Sequence, residues 1–335
     1  MKICVLGAGT WGTALAALLA KNKHTVKLWS AIPAEIDELK AKGVHKNLPN
    51  VSLPSNIEYL KDIADAALGA EMMLIVVPSS FLRATTERLA PYIENGAIIV
   101  TAAKGIEKES LMTMTEIVRD VLSISRPNLK CEVAALSGPT HAEEVAAGIP
   151  TSIVSACENE EISARVAEAF AGSCMRVYTN TDVQGVEVCG AMKNIIALAA
   201  GILGGMELGD NTKAMLMTRG IAEITRLGLA MGCKRQTFMG LAGIGDLIVT
   251  CTSRHSRNNR CGELIGRGLS YDEAAEEIGM VVEGYHALEA AMALSQKYNV
   301  ELPITEAVYR IIKEGLSPRE AVERLMARDF KSELD

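Results

Sequence analysis

The stretch Gly7-Ala8-Gly9-Thr10-Trp11-Gly12 constrains this chain more than any other, because it lies between an apolar run at 3–6 and an Ala/Leu-rich segment at 13–20. A Gly-x-Gly-x-x-Gly in that setting predicts strand, tight turn and helix. Gly7 permits the turn, Gly9 lets the backbone approach a pyrophosphate, and Gly12 lets helix and strand pack closely. Amides at the helix start would then face the phosphate charge. The hexapeptide alone is a weak signal. The strand before it and the helix after it are the context it requires, and together they predict a dinucleotide site.

A chain of 335 residues is longer than one typical domain and shorter than three, so two domains are expected. With 49% hydrophobic and 22% charged residues it falls in the ordinary globular range, which excludes a disordered chain. A net charge of -7 and an aromatic content of 4% disfavour a nucleic-acid surface, so any anion must be held by a locally basic pocket. The eight cysteines are scattered without a Cys-x-x-Cys, and the closest pair, Cys251 and Cys261, has no His/Cys companions at zinc spacing. Neither metal nor disulfide is expected. The uncharged stretch 3–20 follows Lys2 and superficially resembles a leader or a short membrane span. Its glycines and threonines count against that, and the chain is expected to be soluble, cytoplasmic and unprocessed, with no membrane insertion.

A second strand is predicted at 25–29. Its end is where a ribose-reading residue belongs, about 20 residues past the glycines. Ser30-Ala31 stand there, with neither the acid that favours NAD nor the arginine that favours NADP. Glu35 belongs to the helix that starts after Pro33, so cofactor choice stays open and weak discrimination is expected. Apolar runs at 72–77, 97–101 and 133–136, each followed by polar and helical segments, predict an α/β fold with a doubly wound parallel sheet covered on both faces. Further short strands are expected at 151–155 and 175–178. Ligands collect at the carboxyl ends of such strands. Lys104 and Gly138-Pro139-Thr140 follow two of those ends, although a solvated lysine and a plain turn account for them equally well.

Beyond Asn180-Thr181-Asp182 the pattern becomes helical, which places a domain boundary between 1–182 and 183–335. Segments 187–203 and 213–231 should form the core of an all-helical second domain. Ser270 with Glu273 and Ser317 with Glu320 have capping-box spacing, and Pro318 suits a first helical position. Within the first of these segments Lys193 is the only basic residue between Arg176 and Lys213. An ammonium on an apolar helix needs a partner or a purpose. Desolvation lowers a lysine pKa and makes an acid/base group for a hydroxyl or carbonyl, while a long stem that carries the charge to solvent is the alternative. The glycines of 240–247 point to close approach of backbone or ligand. The segment 250–258 then concentrates hydroxyls, an amide and Arg257, a guanidinium able to fork onto a phosphate. A solvated basic face made by Arg254, Arg257 and Arg260 remains the alternative. No constellation surrounds the histidines, and none is assigned to catalysis, His141 beside the Gly-Pro-Thr turn included.

Together the motifs Gly7 to Ala14, Ala103-Lys104-Gly105-Ile106-Glu107, Gly138-Pro139-Thr140, Cys189-Gly190-Ala191-Met192-Lys193-Asn194, 240–247, Ser256-Arg257-Asn258 and Val282-Glu283-Gly284 follow one another in a specific order. The chain resembles bacterial NAD(P)-dependent glycerol-3-phosphate dehydrogenases over essentially its whole length. That resemblance implies a Rossmann-type domain and an all-helical C-terminal domain with the active site between them. It also implies NAD or NADP as cofactor, a small-molecule substrate (glycerol 3-phosphate or dihydroxyacetone phosphate), and a homodimer. By motif, Lys193 would be the acid/base, and Lys104 would contact both cofactor and substrate. Gly138, Thr140, Asp246, Ser256, Arg257 and Asn258 would surround the substrate; Thr10, Trp11, Ala142, Arg257, Val281 and Glu283 would touch the dinucleotide. The family often has arginine where this chain has Ala31, which leaves NADP against NAD open. A hydroxyacid dehydrogenase of similar architecture and a dinucleotide-sensing protein without turnover are the rival readings.

Overall fold

The computed structural model describes residues 1–329 together with 332 and 333. The chain divides into two compact units, Met1–Gly190 with Gln236–Asp246, and Ala191–Arg235 with the chain from Leu247 onward. In the first unit eight strands form one sheet: β1 (Lys2–Leu6), β2 (Thr25–Trp29), β3 (Ile57–Leu60), β4 (Met72–Ile75), β5 (Ile98–Thr101), β6 (Glu132–Ser137), β7 (Thr151–Ala156) and β8 (Met175–Asn180). Their order is β3-β2-β1-β4-β5-β6-β7-β8. Residues alternate between faces along β1: Ile3 and Val5 pack into one apolar cluster, Cys4 and Leu6 into another. Both faces are therefore covered, as a parallel sheet requires, by α1 (Thr10–Lys21), α2 (Pro33–Lys42), α3 (Ile63–Ala67), α4 (Leu82–Leu89), α5 (Met114–Ser125), α6 (Ala142–Ala146) and α7 (Glu160–Ala169).

Two details differ from the sequence reading. The sheet is mostly rather than wholly parallel, because β7 runs antiparallel to β6. Strand β3, which the apolar pattern did not reveal, sits at the sheet edge with only Ile57 fully buried, so its sequence lacks the continuous apolar run of a central strand.

The remaining helices are α8 (Val183–Gly205), α9 (Asp210–Ala230), α10 (Arg235–Phe238), α11 (Asp246–Thr252), α12 (Arg257–Gly266), α13 (Tyr271–Ile278), α14 (Glu283–Tyr298), α15 (Pro303–Glu314) and α16 (Pro318–Met326), with a π-helical turn at Leu241–Gly245. Helix α8 is long and apolar enough to cross a bilayer, yet its apolar window is buried throughout the structure. Its first turns belong to the sheet unit, where Val183 and Val186 pack with Ala135, Val154, Ala156 and Ala242. The compact units thus part at Gly190, beyond the strand-to-helix switch at Asp182, because α8 continues unbroken through that point.

Glu187 fixes these first turns. Its carboxylate accepts from the Thr115 amide at 2.8 Å and from the Thr115 hydroxyl at 2.6 Å. Burial pushes its pKa up from 4.5 to about 7, although the Thr115 bonds pull the other way. A carboxyl that holds its proton more tightly in the folded chain contributes its full stabilisation below its unfolded pKa and loses it as pH rises through its folded one. The shift corresponds to at most about 3 kcal/mol, lost between roughly pH 4.5 and 8. Denaturant unfolding at pH 5 and pH 8 should therefore show stability falling with pH, and Glu187→Gln should flatten that fall. A parent-like slope in the variant would assign the pH dependence to other groups.

In the second unit, α8 and α12 touch backbone to backbone. A Cβ on Gly201 would lie 2.0 Å from the Asn259 carbonyl oxygen, and one on Gly262 would lie 2.1 Å from that of Leu198. Only glycine permits this approach, which sets the helix carrying Lys193 against the helix that begins with Arg257. Buried Glu223 on α9 holds the start of α15, accepting from the amides of Ile304 at 2.8 Å and Thr305 at 2.9 Å. The Ser270–Glu273 capping box forms on α13. At α16 Ser317 accepts from the Glu320 amide, while the Glu320 carboxylate bonds Arg324.

Candidate active site

Strand β1 ends at Leu6, and Gly7 turns the chain with φ +123°, donating its amide to the Trp29 carbonyl at 2.8 Å. A Cβ on Gly12 would lie 1.8 Å from the Gly7 carbonyl oxygen, so the turn and the first helical turn are in direct contact. A Cβ on Gly9 would meet nothing within 4 Å, and no side chain caps α1 at Gly9. The result is an open backbone cradle whose first-turn amides can receive an anion, the donor set that a dinucleotide pyrophosphate needs. Trp11 and Ala142 share one apolar cluster with Ala14 and Ala146 beside this cradle. The Thr10 hydroxyl accepts from Asn47 Nδ2 at 2.9 Å.

Lys104 follows β5. Its ammonium donates to Asp246 Oδ2 at 2.7 Å and to the Gly138 carbonyl at 3.1 Å, and the Thr140 hydroxyl bonds that same carbonyl at 3.3 Å. Four residues singled out from three separate motifs thus meet in the first unit. The Asp246 carboxylate is 1% exposed and the Lys104 side chain 18%. Such an ion pair is strongly destabilised by removal of either partner, because the other charge stays behind. The Lys104 loop is pinned on its far side, where Arg83 forks onto both Glu107 oxygens at 2.8 and 2.7 Å. A Cβ on Gly105 would also lie 2.4 Å from that of Ser79.

In the second unit Lys193 is 6% exposed, so the reading of a stem that carries its charge to solvent does not hold. Its ammonium donates to the Thr250 hydroxyl on α11 at 2.6 Å. The adjacent Asn194 accepts through Oδ1 from Asn258 Nδ2 at 3.0 Å, and Asn258 Oδ1 accepts from the Gly284 amide at 2.9 Å. This buried amide pair joins α8, α12 and the start of α14, where Val281 and Glu283 flank the turn into the helix. Ser256 caps α12 by accepting from the Asn259 amide at 3.2 Å, which leaves its hydroxyl proton for another acceptor. Arg257, at the first position of that helix, is exposed. Among the described residues no three His, Cys, Asp or Glu side chains group as metal ligands.

Two residues at the site were not singled out as site residues by sequence. Asn194 sits inside a motif that drew attention to its neighbour Lys193. Thr250 lies 57 residues from Lys193, and no local signal links a hydroxyl to a lysine at that distance.

Comparison with known proteins identifies the family. Residues 2–163 match the family model for the NAD-dependent glycerol-3-phosphate dehydrogenase N-terminus, and residues 182–323 match that for its C-terminus. The glycerol-3-phosphate dehydrogenase [NAD(P)+] 2 of Lactobacillus delbrueckii subsp. bulgaricus is 51% identical over 99% of both chains. That of Fusobacterium nucleatum is 47% identical over 100% of this chain and 99% of its own. The crystal structure of glycerol-3-phosphate dehydrogenase from Coxiella burnetii superposes with a TM-score of 0.92 at 40% identity, covering 98% of this chain and 99% of that one. A ketopantoate reductase from Ralstonia eutropha, 18% identical with a TM-score of 0.63, shares the fold alone. The chain belongs to the NAD-dependent glycerol-3-phosphate dehydrogenase family, oxidoreductases that use NAD(P) to interconvert glycerol 3-phosphate and dihydroxyacetone phosphate.

Proposed function

We propose that Lys193 is the acid/base of this reaction, a role carried by one observation: a nearly buried ammonium on an apolar helix that donates to the Thr250 hydroxyl at 2.6 Å. When bound, the nicotinamide supplies or accepts the hydride at C2 of the substrate. Lys193 Nζ gives a proton to the carbonyl oxygen of dihydroxyacetone phosphate in one direction and takes it from the C2 hydroxyl in the other. Thr250 accepts one of the lysine's N–H bonds and so aims the ammonium. The Asn194–Asn258 pair stiffens the helix around it.

Arg257 holds the substrate phosphate, with Ser256 and Asn258 beside it. Because the phosphate is remote from the reacting carbon, its binding energy can hold that carbon within hydride range. Lys104, oriented by Asp246 and the Gly138 carbonyl, contacts both substrate and dinucleotide, and Thr140 completes that wall. Gly7, Gly9, Thr10, Trp11, Gly12 and Ala142 receive the dinucleotide, joined by Arg257, Val281 and Glu283. Most of the dinucleotide binding thus falls to 1–182 and most of the chemistry to 183–335.

The product, sn-glycerol 3-phosphate, would serve phospholipid synthesis in the cytoplasm, and the working form would be a homodimer. The direct test follows NADH and NADPH oxidation at 340 nm with dihydroxyacetone phosphate, beside a panel of 2-keto acids. Turnover of the phosphorylated ketone and not of the acids is expected. A preference for a keto acid would reassign the site to hydroxyacid chemistry, and cofactor binding without any turnover would make it a sensor. Sedimentation at micromolar concentration tests the dimer.

A further inference from the structure

Strand β2 ends at Trp29, whose carbonyl receives the Gly7 amide, so Ser30 stands one residue from the glycine turn. This is the place from which a dinucleotide fold reads the adenosine ribose. Ser30 is 4% exposed. Its hydroxyl donates to Glu35 Oε2 at 2.6 Å and accepts from the Ile32 amide at 3.1 Å. Glu35 lies in the first turn of α2, and its own amide bonds the Ile32 carbonyl at 3.0 Å. A six-residue turn therefore folds an acid from the next helix back to the strand end, where the sequence shows only Ser30-Ala31.

Positive charge suited to a 2′-phosphate is scarce there. The first arginine of the chain is Arg83, and its guanidinium is committed to Glu107 and Asp120. Arg88 stacks on Trp29, 5.2 Å from the ring centroid. The Trp29 side chain belongs to the apolar cluster on the sheet face opposite α1. The loop after α2 brings His45 near Glu35, with Lys46 next to it in the chain. Burial, then Lys46, pushes the pKa of His45 down from 6.5, which disfavours its charged form. Lys46 is exposed, and Glu35, Glu38 and Glu143 all lie within electrostatic reach of His45. A lysine is a point charge without the fork that grips a phosphate.

We infer that Glu35, oriented by Ser30, makes this enzyme prefer NADH over NADPH. The carboxylate accepts a hydrogen bond from the adenosine 2′-hydroxyl, and it repels a 2′-phosphate at the same position. This replaces the expectation of weak discrimination, which rested on the lack of an acid at residues 30 and 31. The inference rests on dinucleotide binding alone and not on the roles of Lys193 or Arg257.

Binding decides it without turnover. Fluorescence titration should give the parent a Kd for NADH at least about tenfold below that for NADPH. Glu35→Gln, which keeps the shape and removes the charge, should tighten NADPH about fivefold or more while NADH changes less than about threefold. Ser30→Ala should narrow the ratio in the same direction, since it frees the carboxylate to move. Steady-state kcat/KM with dihydroxyacetone phosphate should follow the same ratios. Equal or tighter NADPH binding by the parent, or a Glu35→Gln ratio within twofold of the parent's, overturns the inference. Failure of the parent to bind either dinucleotide overturns it together with the cofactor reading itself.

Discussion

Lys193→Met is expected to fold, to bind NAD(P)H and to turn over dihydroxyacetone phosphate about a thousandfold more slowly than the parent. That figure lies within the range that positioned proton transfer contributes, roughly 10²–10⁴-fold. Methionine keeps much of the stem and its packing within α8 but has no proton to exchange. It also leaves the Thr250 hydroxyl without its 2.6 Å partner, a loss of about 1 kcal/mol of stability that should appear as a small fall in Tm. The comparison needs a dinucleotide titration and a melting curve beside the rate, since a variant that cannot bind cofactor says nothing about the proton. Turnover within about tenfold of the parent, a loss of only roughly 1.4 kcal/mol in the barrier, would show that the proton comes from elsewhere. Lys104, already engaged with Asp246, would be examined next.

Arg257→Lys is expected to raise the KM for dihydroxyacetone phosphate by about 30-fold or more and to change kcat much less. The substitution keeps a positive charge at the start of α12 and removes the planar fork that grips two phosphate oxygens at once. About 30-fold corresponds to roughly 2 kcal/mol, the size of one charge-assisted hydrogen bond. Arg257 is exposed and ends no buried network, so the fold should be unaffected and the change confined to substrate. An unchanged KM would remove the phosphate from this residue. A fall in kcat beside the rise in KM would mean that the contact strengthens in the transition state, with the phosphate anchor setting the position of C2.

The parts of this protein legible in its sequence are those that depend on neighbours along the chain. The glycine turn between β1 and α1 was readable because φ at Gly7 and the 1.8 Å approach at Gly12 are demands that only glycine meets, whatever the rest of the molecule does. The buried strands β1, β4 and β5 announced themselves as short apolar runs for the same local reason. Strand β3 did not, because an edge strand buries little and its side chains are free to be polar. The antiparallel turn of β7 against β6 also left no local mark, since direction is a property of the pair and not of either strand.

The site follows the same division. A lone ammonium on an apolar helix marked Lys193 as needing a partner or a purpose, a conflict visible in one dimension. What answers that ammonium, Thr250, was decided only when α11 packed beside α8. Lys104, Gly138 and Asp246 were each suspect by motif, but their shared network exists because the ends of β5 and β6 and the start of α11 converge in space. Ser30 and Ala31 offered no acid to a cofactor, and the turn into α2 supplied Glu35 instead. Backbone sterics and apolar periodicity act within a few residues and so are written in the order of the amino acids. Hydrogen-bond partners and charge pairs act across a few ångströms of space, and only the folded chain determines which residues those are.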